Sequence, residues 1–215
     1  MKNNLADIRT DYSSQSLDSK DVNPSPTEQF TLWMNQAMEA HVLEPTAMNL
    51  ATVDTNGKPS SRIVLLKGLE ENTFVFFTNY SSHKGVDLAQ LPFGALNFFW
   101  PELERQVRIE GNIKKVSAAD SDVYFASRPY ASKIGAWVSE QSKEISNREA
   151  LEKRIETYQT KYPEGSDVPR PEYWGGYALT PTYMEFWQGR PSRLHDRIVY
   201  EWNVDGGWKI YRICP

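Results

Sequence analysis

Hydrophobic positions repeat with a helical period in a few segments of the chain and with a strand period in most others. The first helical segment starts at Ser25, where Ser25-Pro26-Thr27-Glu28 has the form of a capping box with proline at the first helical position. Apolar residues then follow at helical spacing, and the predicted helix ends before Pro45. Similar capping patterns predict further helices from Ser81 or Ser82 to Leu91, from Ser117, and from Ser146.

Alternating and continuous apolar runs predict strands through most of the remaining chain. Asn56-Gly57 and Asp205-Gly206-Gly207 mark hairpin turns, because these residues accept the positive φ angles that tight hairpins require. A polar linker at 163–171 separates the last helix from the final strands. The predicted strands are 48–53, 63–66, 73–79, 95–100, 106–116, 177–180, 183–188, 193–202 and 208–214.

This order of elements indicates a mainly β protein with helices (α+β), built on antiparallel strands. Closing such a sheet removes exposed edges, so a small antiparallel barrel surrounded by helices is expected. Neither GxGxxG nor GxxxxGK occurs, which argues against a dinucleotide-binding or P-loop architecture. Residues 1–24 are polar and lack an apolar period, and we expect a mobile N-terminal arm there, followed by a single domain at 25–215.

Composition narrows the classes of function. The 215 residues are 40% hydrophobic and carry a formal net charge of −4, which argues against nucleic-acid binding because that requires an extended basic surface. Cys214 is the only cysteine, so an internal disulfide is impossible and a reducing compartment is expected. No run approaches the roughly 18 apolar residues of a membrane span. We therefore expect a cytoplasmic protein that does not bind membranes.

Three potential cations stand close together in the last predicted strand but one. The period of two in a strand places Arg193, His195 and Arg197 on one face, with Leu194 and Asp196 on the other. Neighbouring cations repel one another and are costly to desolvate, so an anionic or electron-rich group is expected between them. The alternative is a solvated strand face with surface salt bridges, which contribute little to stability.

Phosphate binding is a second candidate chemistry. Without a glycine-rich loop, a phosphate must be held by side chains, and Arg62, Lys67 and Lys84 stand at strand or helix starts where they can converge. Tyr124 and Arg128 are four residues apart in a predicted helix, so they would share one face. The alternatives are exposed hairpin charges for the first group and a surface stacking contact for the second.

Six sequence blocks resemble, in order, those of the pyridoxine/pyridoxamine 5'-phosphate oxidases, which are FMN enzymes that make pyridoxal 5'-phosphate. The resemblance implies an antiparallel split β-barrel of the FMN-binding type and a homodimer with FMN in the subunit interface. It also implies oxidation of pyridoxamine 5'-phosphate or pyridoxine 5'-phosphate, with O2 reduced to H2O2. The blocks are TAMNLATVDTNGKPSSRIVLLK (46–67), FFTNYSSHKG (76–85), ERQVRIEG (104–111), YFASRPYASKIGAWVSEQS (124–142), WGGY (174–177) and EFWQGRPSRLHDR (185–197).

The resemblance also implies which residues form the site. Arg193, His195 and Arg197 are the implied catalytic residues, with Arg197 stabilising the reduced flavin, and no metal site is implied. The implied FMN contacts are Arg62, Ile63, Val64, Leu65, Leu66, Lys67, Phe77, Thr78, His83, Lys84, Gln106, Gln141, Ser142, Trp187 and Arg197. The implied substrate contacts are Lys67, Tyr124, Arg128, Ser132, Arg193, Leu194 and His195.

Two places depart from the family pattern or match it weakly. His83 stands where the family usually has arginine, and since histidine is mostly neutral at pH 7, we expect weaker or more pH-dependent FMN binding. Arg9 and Tyr12 weakly resemble a family segment that can cover the substrate, and a disordered tail is the alternative. Two other functions stay open: a split-barrel flavoprotein acting on another substrate, and a non-catalytic flavin or vitamer-binding module.

Overall fold

Strand pairing organises most of the computed structural model, which describes residues 11–13 and 15–215. None of the helices in this described part is long and apolar enough to cross a membrane. The helices are α1 (Pro26–Glu39), α2 (His83–Gln90), α3 (Ala118–Ser127), α4 (Tyr130–Val138) and α5 (Arg148–Lys161). The strands are β1 (Ala47–Val53), β2 (Pro59–Leu65), β3 (Gly68–Glu70), β4 (Thr73–Asn79), β5 (Phe93–Trp100), β6 (Arg105–Lys115), β7 (Trp174–Gln188), β8 (Asp196–Trp202) and β9 (Trp208–Arg212).

The strands pair in the order β2-β1-β5-β6-β7-β4-β3, and β8 pairs with both β7 and β9. The β3–β4, β4–β7, β7–β8 and β8–β9 pairs are antiparallel. In register, Phe76 of β4 lies opposite Tyr177 of β7, and Phe186 of β7 lies opposite Ile198 of β8. The predicted mainly β fold with antiparallel strands is therefore confirmed.

β7 is one strand where the sequence predicted two. The predicted break fell at Pro181-Thr182, where proline cannot donate a backbone hydrogen bond. In the structure, pairing of β7 with β4 ends at Leu179 and pairing with β8 begins at Tyr183. Pro181 lies between these two ladders, where its missing N–H interrupts neither of them.

The chain divides into two compact units, each with its own aromatic core. The first unit contains the described residues up to Asn49, together with Ala95–Glu110 and Pro181–Pro215. In its core Phe186 contacts Trp33 and Tyr200, with ring centroids 5.2 and 5.5 Å apart. The second unit contains Leu50–Gly94 and Gly111–Thr180. Its helical core is formed by Phe125, Ile134, Ala136, Val138, Val168 and Trp174, with Leu151, Ile155, Tyr158 and Tyr162 of the α5 region packed against it.

Three of the four predicted helix starts coincide with the observed caps. Ser25, Ser82 and Ser117 each accept a hydrogen bond from a backbone N–H in the first turn of their helix. α5 is capped by Asn147, which accepts from the Ala150 N–H, rather than by the predicted Ser146. Local side-chain chemistry therefore sets where these helices begin.

The junction between α3 and α4 differs from the prediction. Arg128 precedes Pro129, and a residue before proline is pushed out of the helical conformation, so α3 ends at Ser127. Arg128 is extended, with ψ of 147°. The prediction that Tyr124 and Arg128 share one helix is therefore wrong for Arg128. Ser132 lies inside α4.

The strand predicted at 193–202 begins later, at Asp196. Pro191–Arg193 forms a short 3-10 turn whose last two residues have positive φ, 58° and 61°. A strand requires extended residues with negative φ, so the alternation cannot start at Arg193. The prediction that Arg193, His195 and Arg197 line one strand face is therefore wrong, and of the three only Arg197 lies in the sheet.

Part of the predicted N-terminal arm packs against β8 and β9 within the first unit. Leu17 is buried, and its N–H donates to the Asp196 carboxylate at 3.0 Å. The Arg212 guanidinium donates to the Leu17 carbonyl at 2.6 Å. Leu17 is thus held by residues of β8 and β9. The mobility of residues 1–24 as a whole stays a prediction, and Arg9 lies outside the described residues.

We expect Phe186→Ala to lower the free energy of unfolding by about 3–5 kcal/mol, because it empties a fully buried position between Trp33 and Tyr200. Val204→Ala is the matched control, since Val204 is fully exposed and should change stability by less than about 0.5 kcal/mol. Urea unfolding at one protein concentration measures both values. Equal effects at the two positions would contradict the core assignment.

Candidate active site

A cavity of about 600 Å³ lies in the second unit, a volume typical of small-ligand sites. Thirteen of its sixteen lining residues are ones that the resemblance assigned to FMN or substrate, and Ser60, Ser61 and Trp174 are the three that it missed. β2, β4 and α2 supply much of the wall. The lining residues are Ser60, Ser61, Arg62, Ile63, Val64, Leu65, Lys67, Phe77, Thr78, His83, Lys84, Tyr124, Arg128, Gln141, Ser142 and Trp174.

Lys84 is a buried cation in the wall of this cavity, 7% exposed. Its Nζ donates to Thr78 Oγ1, Ser82 Oγ and Gln141 Oε1, each at 3.0 Å. These three acceptors are neutral, so they satisfy its hydrogen bonds without balancing its charge. Burial, together with the nearby positive charge of Arg62, lowers the pKa of Lys84 to about 8. An anionic ligand in the cavity would supply the missing charge.

Arg62 is held in place by two hydroxyl groups on neighbouring strands. Its guanidinium donates to Thr52 Oγ1 at 2.7 Å and to Ser60 Oγ at 2.6 Å. Asp87 of α2, a buried carboxylate, accepts from the same two hydroxyls, at 2.6 Å from Thr52 and 3.3 Å from Ser60. Burial lowers the pKa of Arg62, and the charge of Asp87 opposes this shift. Asp87 therefore orients the two hydroxyl groups that hold Arg62, although it does not line the cavity itself.

Asp87 was missed by the sequence analysis, although one signal for it exists. It follows His83 by four residues in α2, a spacing that brings two helical side chains together. His83 Nε2 lies 3.6 Å from Asp87 Oδ1, and the His83 side chain is 62% exposed. His83 therefore lines the cavity at its solvent edge, beside a carboxylate.

Aromatic rings form a second part of the cavity. The ring of Tyr124 stacks on Phe77, with centroids 3.8 Å apart and an interplanar angle of 12°. Arg128 lies over the Trp174 ring at 4.4 Å, and its Nη1 is buried without a hydrogen-bond partner among the described residues. Burial lowers the pKa of Arg128 and raises that of Tyr124. A buried guanidinium nitrogen without a partner is costly, so an anion is expected beside it.

Arg197 belongs to the first unit and is tied to a carboxylate that the sequence analysis did not single out. Its Nε lies 2.7 Å from Glu185 Oε1 and its Nη2 lies 3.0 Å from Glu185 Oε2. Its Nη1 donates to the Cys214 carbonyl at 3.0 Å. This hydrogen bonding to Glu185 raises the pKa of Arg197. The anionic group expected beside these cations is, for Arg197, supplied by the protein itself.

His195 lies in the loop before β8, between two aromatic rings of the same unit. Its ring centroid is 4.6 Å from that of Trp187 and 5.8 Å from that of Tyr12. Its Nδ1 accepts from the Arg190 N–H at 3.1 Å, which places the proton of a neutral ring on Nε2. Burial and the charge of Arg193 lower the pKa of His195, so it is neutral at pH 7.

Tyr12 reaches this position beside a glycine. A Cβ built on Gly189 would lie 2.7 Å from the Tyr12 Cβ and 2.9 Å from the Glu104 Cβ. The Gly189 N–H also donates to the Glu104 carbonyl at 2.8 Å. The close approach of Tyr12 to Trp187, with ring centroids 5.6 Å apart, therefore requires glycine at position 189.

The other residues that the sequence analysis assigned lie outside the cavity lining. Leu66 is buried, and Ser132 is half-buried in α4. Arg193 and Leu194 are exposed in the turn before β8. Gln106 is half-buried in β6 and belongs, with Trp187, Arg193, Leu194, His195 and Arg197, to the first unit.

Comparison with solved structures defines the class of fold. The chain is similar to PhzG from Burkholderia lata 383, solved with tetrahydrophenazine-1-carboxylic acid, at a TM-score of 0.89 and 28% identity over 96% of this chain and 100% of PhzG. It also resembles a pyridoxamine 5'-phosphate oxidase-related, FMN-binding protein from Nostoc punctiforme at a TM-score of 0.71 and 20% identity, over 90% and 100% of the two chains. The fold is therefore that of the split-barrel flavoproteins.

Sequence comparison then defines the family. Residues 34–162 match the pyridoxamine 5'-phosphate oxidase family, and residues 174–215 match the pyridoxine 5'-phosphate oxidase C-terminal dimerisation region. The chain is 70% identical to the pyridoxine/pyridoxamine 5'-phosphate oxidase of Cytophaga hutchinsonii and 55% identical to that of Chromobacterium violaceum, over 100% of each chain. The chain belongs to the pyridoxamine 5'-phosphate oxidase family.

We expect Lys84→Met to stabilise the ligand-free protein at pH 7 and to lose this advantage at higher pH. The folded-state pKa of Lys84 is about 8, below the ordinary 10.5, so the unfolded chain binds more protons between these values and wild-type stability rises with pH there. At pH 7 the charged form is penalised by at most roughly 3 kcal/mol.

Urea unfolding of both proteins from pH 7 to pH 10 measures this difference. Lys153→Met, which changes an exposed lysine of α5, is the control and should show no pH-dependent difference from wild type. A stability difference between Lys84→Met and wild type that stays constant over this range would overturn the assignment of Lys84 as a buried, unbalanced charge.

Proposed function

We propose that the protein is an FMN-dependent oxidase that converts pyridoxamine 5'-phosphate or pyridoxine 5'-phosphate to pyridoxal 5'-phosphate, with O2 reduced to H2O2. The observation that carries this proposal is the cavity of the second unit, whose lining includes buried Lys84 and half-buried Arg62 and Arg128. These three cations are among the thirteen lining residues that the resemblance assigned to FMN or substrate. Identity of 70% to a full-length relative named pyridoxine/pyridoxamine 5'-phosphate oxidase supports the same substrates. With the amine substrate, ammonia is the second product.

The residues present fit a flavin phosphate at the α2 end of the cavity. Lys84 and Arg62 supply positive charge there, and both have a pKa lowered by burial, which a phosphate dianion would reverse. Bound FMN would supply the hydride acceptor that no protein side chain provides. Gln141 and Ser142 line the same cavity and would donate hydrogen bonds to the cofactor.

The second phosphate, on the substrate, fits the aromatic part of the cavity. Arg128 has a buried nitrogen with no hydrogen-bond partner in the described part of the chain, Tyr124 offers a hydroxyl group, and Lys67 lines the same cavity. Together they can donate hydrogen bonds to a dianion. We propose Ser132 as a further contact. These groups would fix the phosphate, and with it the position of the reacting carbon.

We propose that the residues of the first unit have the roles implied by the resemblance. Arg193 and His195 orient the pyridine ring, with Leu194 beside it, while Trp187, Gln106 and Arg197 contact the flavin. Neutral His195 can donate a hydrogen bond from Nε2, since its Nδ1 accepts from the Arg190 N–H. The match to a dimerisation region at 174–215 supports a homodimer, and we propose that FMN lies at its interface. A cytoplasmic location is proposed as well.

Anaerobic reduction tests the function. We expect purified protein to be yellow, and to lose its visible flavin absorbance when pyridoxine 5'-phosphate is added without oxygen, with pyridoxal 5'-phosphate formed in equal amount. A yellow protein that is not reduced by either phosphorylated vitamer would indicate a flavoprotein with another substrate, or a binding module. A colourless protein that cannot be reconstituted with FMN would overturn the proposal.

We expect Arg128→Met to reduce kcat/KM for pyridoxine 5'-phosphate by about 10- to 150-fold, the usual effect of removing a charge-assisted hydrogen bond. Turnover of unphosphorylated pyridoxine should be unchanged, so the preference for the phosphorylated substrate falls by the same factor. Arg148→Met, at an exposed arginine that pairs with Glu152 on α5, is the matched control and should keep the preference. Retention of the preference in Arg128→Met would remove Arg128 from the phosphate site.

A further inference from the structure

Glu185 is an almost fully buried carboxylate in β7, 1% exposed, and it accepts hydrogen bonds from three side chains. Arg197 binds both of its oxygens, at 2.7 and 3.0 Å. Arg108 Nη1 donates to Oε2 at 3.1 Å, and the Tyr183 hydroxyl donates to the same oxygen at 3.3 Å. Three of these four bonds reach Oε2 and one reaches Oε1, so both carboxylate oxygens are bound. Glu185 is therefore held in one orientation.

Hydrogen bonds fix the orientation of the Arg197 side chain as well as that of Glu185. Two parallel N–H···O bonds to one carboxylate fix the plane of a guanidinium. The third nitrogen, Nη1, is held by the Cys214 carbonyl at 3.0 Å. Arg108 is also held in place, because its Nη2 lies 2.7 Å from Glu110 Oε1. The Arg197 guanidinium is therefore held in one orientation, and the Glu185 carboxylate balances much of its charge.

We propose that Glu185 is a positioning residue for the oxidase reaction: it orients Arg197 toward the flavin and sets how much positive charge Arg197 presents to it. This inference rests on the proposed function, which places Arg197 beside FMN. A reduced flavin carries negative charge, and an unbalanced guanidinium beside it would stabilise the reduced form more than a paired one does. Glu185 thus lowers the flavin reduction potential relative to a site with Arg197 alone.

The test is the reduction potential of FMN bound to the holoprotein, measured by anaerobic titration with a chemical reductant and an indicator dye. Glu185→Gln keeps the side-chain shape and removes the charge. We expect the affinity for reduced over oxidised FMN to rise at least tenfold, which corresponds to a potential about 30 mV higher for a two-electron couple. Glu201→Gln, an exposed position in β8, is the control and should leave the potential unchanged.

A double-mutant cycle separates positioning from a purely structural role. If Glu185 acts through Arg197, Glu185→Gln should have no effect on the potential in an Arg197→Gln background. A structural role would instead lower thermal stability and leave the potential at the wild-type value. An unchanged potential in Glu185→Gln, or an equal change in both backgrounds, would overturn the inference.

Glu185→Asp covers the case in which the glutamine variant does not fold. It keeps the charge and shortens the side chain, so we expect a nearly wild-type potential and an at least tenfold slower reduction by pyridoxine 5'-phosphate. Reduction at the wild-type rate would show that the orientation of Arg197 does not depend on Glu185. The titration needs no vitamer, so a wild-type protein that binds FMN but is not reduced by either substrate fails the proposed function alone.

Discussion

The backbone ladder of β7 is the constraint on which the remaining structure depends. Its first half pairs with β4 from Phe74 to Asn79 and its second half pairs with β8, so one strand contributes to both units. Because side chains alternate along a strand, Glu185 and Trp187 share one face and Phe186 points to the other. A register shift of one residue would exchange these faces, placing a carboxylate in the aromatic core and Phe186 beside Arg197.

Positive side chains have two different kinds of surroundings in this protein. Arg197 is balanced by Glu185, two residues before its register partner on β7. Lys84 is surrounded by neutral acceptors, and Arg128 has a buried nitrogen that no residue among 11–13 and 15–215 accepts from. An unbalanced buried cation costs several kcal/mol, a cost that a ligand can offset when it binds. Arg197 therefore has its counter-charge within the fold, whereas Lys84 and Arg128 are placed to bind an anionic ligand.

The sequence predicted features that depend on local chemistry and missed those that depend on distant partners. The capped helices and β4 follow from neighbouring residues, and three of the four caps fall where predicted. The strand predicted from Arg193 failed because a turn with positive φ precedes β8, which periodicity alone does not reveal. Glu185 was missed because Arg108 and Arg197 lie on other strands. Asp87 was missed because the hydroxyl groups it binds lie on β1 and β2, although its spacing from His83 was a local signal. Most of the cavity-lining residues were predicted from the family resemblance, because their spacing in the sequence did not decide their roles.

The glycine at position 189 has a consequence for how sequence change is tolerated here. Tyr12 occupies the volume that any side chain at 189 would need, and Tyr12 contacts both Trp187 and His195. Two positions far apart in the chain therefore compete for one space. Any larger residue at 189 would therefore force Tyr12 to move away. Gly189 is thus the residue that allows the N-terminal segment to lie beside His195.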